Sequence, residues 1–275
     1  GHTSTLHSGQ AVPAGERWHG SPAERTEVDY RRVTPTDLRT SRRVRYCIFA
    51  LLNVFFIIMP LAEGGMLMVV AAIPSLSTLL DPTISAISSR QFYLDALLLS
   101  LALFFGFILI GLLFVFTVPR LFNRAITPDR VYPLYGYHYR VQHAITRMTN
   151  IKFFTHLFGN SSYIVHYLRF LGYRLGSPLV QTGSNFGDEV AHENPYLSAV
   201  GSGTMVADGL TIINVDYSST SFRVSRVSIG PRNFLGNNIA YPAQGRTGDN
   251  CLLATKVMVP LDGKIREEAV VVLHQ

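Results

Sequence analysis

From Val200 onward apolar residues return every six positions, often followed by Gly and by a small residue four places later. The hexads read Val200-Gly-Ser-Gly-Thr-Met and Val206-Ala-Asp-Gly-Leu-Thr. After an interruption they resume as Ile229-Gly-Pro-Arg-Asn-Phe, Leu235-Gly-Asn-Asn-Ile-Ala, Tyr241-Pro-Ala-Gln-Gly-Arg, Thr247-Gly-Asp-Asn-Cys-Leu, Leu253-Ala-Thr-Lys-Val-Met and Val259-Pro-Leu-Asp-Gly-Lys. A period of six is neither the 2 of a strand nor the 3.6 of a helix. It fits a triangular solenoid in which each hexad makes one short strand and one corner, and the apolar residue points inward. The expected fold class is a left-handed parallel β-helix over residues 179–275. Gly is expected after the apolar residue because the corner needs backbone angles that a side chain opposes.

Two other segments bear on this repeat. Leu6, Val12 and Trp18 keep the same step, so residues 1–30 are expected to be terminal coils of a preceding β-helix in a longer protein, since a solenoid cannot begin with its last coil. Between the two runs of hexads, Ile212 to Ile229 is seventeen residues where eighteen would be in register. Part of this stretch is expected to be a bulge or loop on one face, often the binding face of a solenoid.

The chain is 48% hydrophobic and 15% charged, too apolar for a purely soluble protein. The excess sits in two blocks, Cys47 to Leu80 and Tyr93 to Val118, each long enough for a bilayer that needs roughly 20 apolar residues. Arg39, Arg42, Arg43 and Arg45 precede the first block and Arg120, Arg124 and Arg130 follow the second, while Asp81 and Arg90 lie between. That asymmetry predicts a transmembrane helical hairpin within 31–130, with both flanks cytoplasmic at the plasma membrane and the lipid bilayer as a partner. It also accounts for the net charge of +6 without nucleic acid. Pro60 and Gly64-Gly65 could break the first helix. Cys47 and Cys251 have no metal-ligand spacing, and no metal is expected.

Residues 131–178 read as basic amphipathic helices, with Ile151, Phe154, Phe158, Tyr163, His166, Tyr167 and Phe170 at helical spacing. Such a segment can lie in the membrane interface or cap the open end of the solenoid. A mixture is expected, with the earlier part near the membrane and the later part capping.

Several strings are more specific than hexads: Phe158-Gly-Asn-Ser-Ser-Tyr-Ile-Val-His-Tyr-Leu-Arg, Gln181-Thr-Gly-Ser-Asn-Phe-Gly, His192-Glu-Asn-Pro-Tyr-Leu, Ser219-Thr-Ser-Phe-Arg-Val-Ser and Gly245-Arg-Thr-Gly-Asp-Asn-Cys-Leu-Leu. Across essentially its whole length the chain resembles the C-terminal membrane region of the ε-poly-lysine synthetase family of nonribosomal peptide synthetases. The resemblance implies condensation of an aminoacyl thioester, carried on the phosphopantetheine of a carrier domain elsewhere in the chain, with the amine of an amino acid. It also implies neighbouring β-helical domains of the same chain as partners. The alternatives are a membrane scaffold that only docks such domains and a stand-alone membrane hexapeptide acyltransferase.

His192 stands in a polar stretch before the first clear hexad, where a neutral imidazole could take the proton of an attacking amine, with Glu193 and Asp188 near enough to orient it. The other reading places His192 in a surface loop before Asn194-Pro195. Asp208, beside Gly209, suits a corner turn or a catalytic polar contact. Asn214, Asp216, Tyr217 and Ser219 open the irregular stretch and could bind substrate. Asn237 could do the same, or serve with Asn233 and Asn238 at corners, because Asn tolerates left-handed backbone.

Overall fold

The fold is taken from a computed structural model that describes residues 4–19, 23–27, 29, 31–37, 39–72, 89–159, 161–176, 181–182, 190–259, 264–265 and 270–271. The chain divides into two compact units, Arg39–Phe114 on one hand and Gly1–Leu38 with Val115–Gln275 on the other.

The first of these is helical. Helix α1 (Thr40–Asn53) runs through a π turn (Val54–Ile58) into α2 (Met59–Ala72), and α3 begins at Arg90 and ends at Asn123. By length and composition two helices here could cross a membrane, Thr40–Gly65 with mean hydropathy 2.1 and Arg90–Asn123 with 2.8. Residues 73–88, with the expected outer loop and Asp81, lie outside the described residues. The first helix is not broken at Pro60 or at Gly64-Gly65. Pro60 has no N–H for the Phe56 carbonyl and its ring crowds that group. The preceding turn widens instead, with the Met59 N–H donating to the Val54 carbonyl.

The second unit contains the solenoid. Its strands fall on three parallel sheets in rotation. The first sheet stacks β4 (Arg174–Leu175), β7 (Ser198–Val200), β12 (Val227–Ile229), β15 (Arg246–Thr247) and β17 (Lys264–Ile265). The second stacks β5 (Gln181–Thr182), β8 (Met205–Val206), β13 (Phe234–Leu235), β16 (Leu252–Leu253) and β18 (Val270–Val271). The third stacks β6 (Ala191–His192), β9 (Thr211–Ile212) and β14 (Ala240–Tyr241), extended by a bridge from Ala240 to Met258. The register pairs Ile229 with Thr247 and Leu235 with Leu253, the eighteen-residue coil that the hexads imply. Every expected inward residue, from Val200 to Val259, is buried, Thr247 being the most exposed of them at 7%. The residue four places on is buried too, as at Thr204, Leu210, Asn233, Ile239, Cys251 and Val257. The solenoid begins at Arg174, a few residues before the expected boundary.

The glycines after the inward residues serve a purpose other than the expected one. Gly176, Gly201 and Gly230 stand one above another at the end of the first sheet, and none has a positive φ. A Cβ on Gly201 would collide with the backbone of Gly230 and Pro231, and one on Gly230 with the backbone of Gly248. They permit close stacking of coils. The left-handed position is the third residue after the inward one: Gly203, Gly209, Arg232, Asn238, Gln244, Asn250 and Lys256 all have φ between 54° and 77°. Asn238 is therefore a corner residue as expected, whereas Asn233 is buried and ties coils together, accepting from Cys251 N–H at 2.6 Å and donating to the Gly248 carbonyl at 2.9 Å. Left-handed backbone costs a non-glycine residue about 1–2 kcal/mol, partly offset by the entropy that glycine loses on folding. Lys256→Gly should therefore raise stability by up to about 1 kcal/mol, read as a higher thermal midpoint.

The interruption is not a coil with one residue missing. Val200 pairs with Ile229, a step of 29 residues, so one coil carries an insertion of 11. It forms the hairpin β10 (Val215–Tyr217) and β11 (Ser221–Val224), which pairs antiparallel with β3 (Val131–Pro133). Val215, Phe222 and Val224 share a core with Tyr132, Val141 and Ile145, the last two on α4 (Tyr137–Thr149). Two short helices follow, α5 (Lys152–Gly159) and α6 (Tyr163–Leu171). At the end of α4, Gln142 and Thr146 each donate to the Glu193 carbonyl at 2.8 Å, and Asn150 donates to the His192 carbonyl at 2.7 Å. Spaced four apart on one helix face, they satisfy the edge of the first coil, where β6 is the last strand of its sheet among the described residues.

Residues 1–30 form no parallel ladder among the described residues. Strands β1 (Trp18–His19) and β2 (Glu24–Arg25) pair antiparallel, and Leu6 and Val12 are exposed. Without another coil to stack on, the hexad step has no interior to fill. The following segment straps the solenoid, with Arg32 donating to the Ala243 carbonyl at 2.9 Å and Thr36 N–H to Thr220 Oγ1 at 2.8 Å.

Candidate active site

The string His192-Glu-Asn-Pro sits where the first coil turns out of the third sheet. His192 is not in a polar loop. It pairs with Ile212 in β9, shares that residue's inward orientation, and is 3% exposed. The Tyr173 ring meets it edge-on at 5.2 Å, and neither imidazole nitrogen has a hydrogen-bond partner. Burial pushes its pKa down to about 3, the Thr149 main chain opposing weakly. The ring is held neutral with both nitrogens covered, an environment other than the polar loop expected for a general base. Asp188, its expected orienter, lies outside the described residues. Glu193 does not orient the imidazole either, because its Oε2 accepts from the Val215 N–H at 2.7 Å.

That bond carries Glu193 to the root of the inserted hairpin. Burial raises its pKa to about 7; the Val215 N–H pulls it down and the neighbouring Asp216 carboxylate adds to the rise. Asp216 faces Arg223 across the hairpin, and their side chains pair at 3.0 Å. The Tyr217 phenol is held above its ordinary pKa, first by burial and then by Glu193 and Tyr139. Glu193, Asp216 and Tyr217 are thus brought together around one strand.

The remaining expected residues separate from this cluster. Asn214 is fully buried among protein groups. Its amide accepts from the Asn194 N–H at 3.1 Å and donates to the Ser225 carbonyl at 3.3 Å. Asn194 in turn donates to Gln142 and Asn123, both at 3.1 Å. This network fixes the junction of α3, α4 and the hairpin. Ser219 is exposed at the hairpin tip. Asp208 and Asn237 occupy stacked corners, where the Asp208 N–H donates to Asn237 Oδ1 at 3.3 Å. Among the described residues no three His, Cys, Asp or Glu side chains gather as metal ligands.

A cavity of about 850 Å³ opens between the C-terminal end of α4, the start of α5 and the third sheet. Thr146, Arg147, Asn150, Lys152, Thr211 and Asn238 contribute to its wall, and His192 borders it with both ring nitrogens covered. Among the described residues the wall carries two cations and no carboxylate. Thr146 belongs both to this wall and to the hydrogen bonds on the Glu193 main chain. Apart from His192, the cavity residues were not expected as site residues from sequence, although Gln142, Thr146 and Asn150 form a polar stripe at a spacing of four that marks a helix face with buried polar partners.

No family model matches the chain, and no curated protein does. Solved structures are similar to it. A hexapeptide-repeat acetyltransferase from Vibrio cholerae is 10% identical over 47% of this chain and 85% of its own, with a TM-score of 0.33. A maltose O-acetyltransferase from Clostridium difficile 630 is 15% identical over 52% of this chain and 87% of its own, at 0.34. A serine acetyltransferase isoform from Entamoeba histolytica, in complex with cysteine, is 14% identical over 48% of this chain and 46% of its own, at 0.25.

Proposed function

We propose that this chain is the membrane-anchored acyl-transfer part of a peptide synthetase, joining an aminoacyl thioester on a carrier domain to an amino acid amine. The observation that carries the reading is the cavity, whose wall offers Arg147 and Lys152, amide and hydroxyl groups, and no carboxylate among the described residues. This donor set fits a phosphopantetheine arm, with a phosphate for the cations and an amide for Thr211. When bound, that arm supplies the activated thioester carbonyl. In this reading the amine approaches from the root of the hairpin, where the Glu193 carboxylate, outside the cavity wall, accepts its proton as it attacks the thioester and the thiol departs. A group with pKa about 7 is suited to this work at neutral pH.

A second reading, a scaffold that docks partner domains without catalysis, is favoured by the enclosure of His192. Glu193→Gln separates the two, because it keeps an acceptor for the Val215 N–H while removing the base. In the intact membrane-bound chain, product formation is expected to fall about a hundredfold, the low end of general-base contributions, with carrier loading unchanged. The wild-type rate should rise with pH through about 7, and that rise should vanish in the variant. Unchanged turnover would put the scaffold ahead.

A further inference from the structure

The helices α5 and α6 are held to the solenoid unit by one side only. Phe154, Ile164, Val165, Tyr167, Leu168 and Leu171 are buried, whereas Phe153, Leu157, Tyr163 and Phe170 stand exposed, Tyr163 by 68% and Phe170 by 61%. Tyr163, His166 and Phe170 follow a three-and-four spacing and so share one stripe of α6. Bare aromatic rings in such a stripe mark a contact surface, and what covers this one is indicated by its neighbour. The rings of Tyr167 and Phe170 lie 5.8 and 5.5 Å from that of Phe116 on α3. Phe116 belongs to the last turns of the apolar run 93–118, and Arg120, just beyond that run, donates to the Phe170 carbonyl at 3.0 Å. Phe170 therefore sits at the level where the apolar run of α3 gives way to cations.

We infer that α5 and α6 lie in the lipid–water boundary of the leaflet from which α3 emerges, with Phe153, Leu157, Tyr163 and Phe170 seated among the lipid. Amphipathic aromatic rings are favoured at that depth, and a helix with one apolar face binds there in proportion to the area it buries. The capping task belongs to α4, which spends its Gln142, Thr146 and Asn150 on the first coil. This divides the two roles in the reverse order to the expected one, with the earlier helix capping and the later helices at the membrane. The second sheet serves as an internal contrast. Its outward residues Met205, Phe234, Leu252 and Val270 are also exposed, but they belong to strands of the solenoid and not to an amphipathic helix.

The inference rests on reading α3 as a membrane span, and the test distinguishes the two. In a Cys47→Ser background, where the remaining Cys251 is buried, a cysteine replaces Phe170, Tyr163, Phe107 or Phe234, each exposed. Each carries an environment-sensitive fluorophore in the full chain reconstituted into phosphatidylcholine vesicles. Nitroxide lipids labelled near the glycerol end should at least halve emission from positions 170 and 163. Those labelled at mid-chain should do so at 107, and neither should affect 234. Quenching at 107 without quenching at 170 and 163 overturns the inference and leaves the span standing, with a protein partner as the cover. Absence of quenching at all positions overturns both.

Discussion

Gly230→Ala is expected to unfold the β-helix. The added Cβ would meet the carbonyl group of Gly248 in the next coil. Neither partner is the end of a flexible side chain, so the contact is relieved only by separating coils. Separation lengthens the Gly230 N–H bond to the Thr247 carbonyl, at 3.1 Å, and strains the ladder that pairs Ser228 with Arg246. Overpacking a rigid interior costs about 1–3 kcal/mol even where side chains can adjust, and here backbone must move in both coils. A loss of about 3 kcal/mol or more, seen as a collapse of the thermal midpoint and of the strand signal in circular dichroism, is the expected result. Gly203→Ala provides the control. Its φ is +69° and an added Cβ would meet only Cγ of Arg232, at an ordinary 3.6 Å, so its cost is the smaller one of left-handed backbone, about 1 kcal/mol. Equal losses at the two positions would show that conformation, and not coil spacing, selects glycine in this column.

The same contrast explains what the sequence could disclose. The inward residues were legible because a six-residue period has few structural solutions, and each of them is buried. The reason for the glycines was not legible, since close approach between residues 18 apart leaves the same letter as a left-handed corner. The true left-handed positions include Arg232, Gln244 and Lys256, which local propensity would not single out, beside the Gly and Asn that it favours. The insertion was concealed by arithmetic: one hexad plus 11 residues makes a step of 17, one short of a coil. At the site, the residues Glu193, Asp216 and Tyr217 were legible as polar groups near an interruption, and the hairpin brings them together. His192 misled because polar neighbours in sequence say nothing about which way a strand turns its side chains, and β6 turns His192 inward and Ala191 outward.

That alternation places two titrating groups with opposite demands side by side, and their stability effects should nearly cancel. His192 has its folded pKa lowered to about 3 from 6.5. Between those values the unfolded chain binds more protons, so its contribution is complete above about 6.5 and is lost as pH falls, at about 1.4 kcal/mol per pH unit. Glu193 has its folded pKa raised to about 7 from 4.5. The folded chain then binds more protons, so its contribution is complete below 4.5 and is lost as pH rises toward 7. From pH 4.5 to 6.5 the two slopes oppose each other, and the pair leaves the wild type nearly level. His192→Leu should remove one slope, leaving a protein that weakens by about 2 kcal/mol as pH rises across that window, after allowance for the partial exposure of Glu193. Glu193→Gln should do the opposite, weakening by about 3 kcal/mol as pH falls across it. His138 and His143, both held below their ordinary pKa chiefly by burial, add a common acid loss to all three proteins, so the differences between proteins are what count. Thermal unfolding in detergent at closely spaced pH values reads them directly. Parallel pH profiles for the wild type and both variants would mean that His192 is open to water and that Glu193 is an ordinary surface acid, and would return the imidazole to the list of candidate bases.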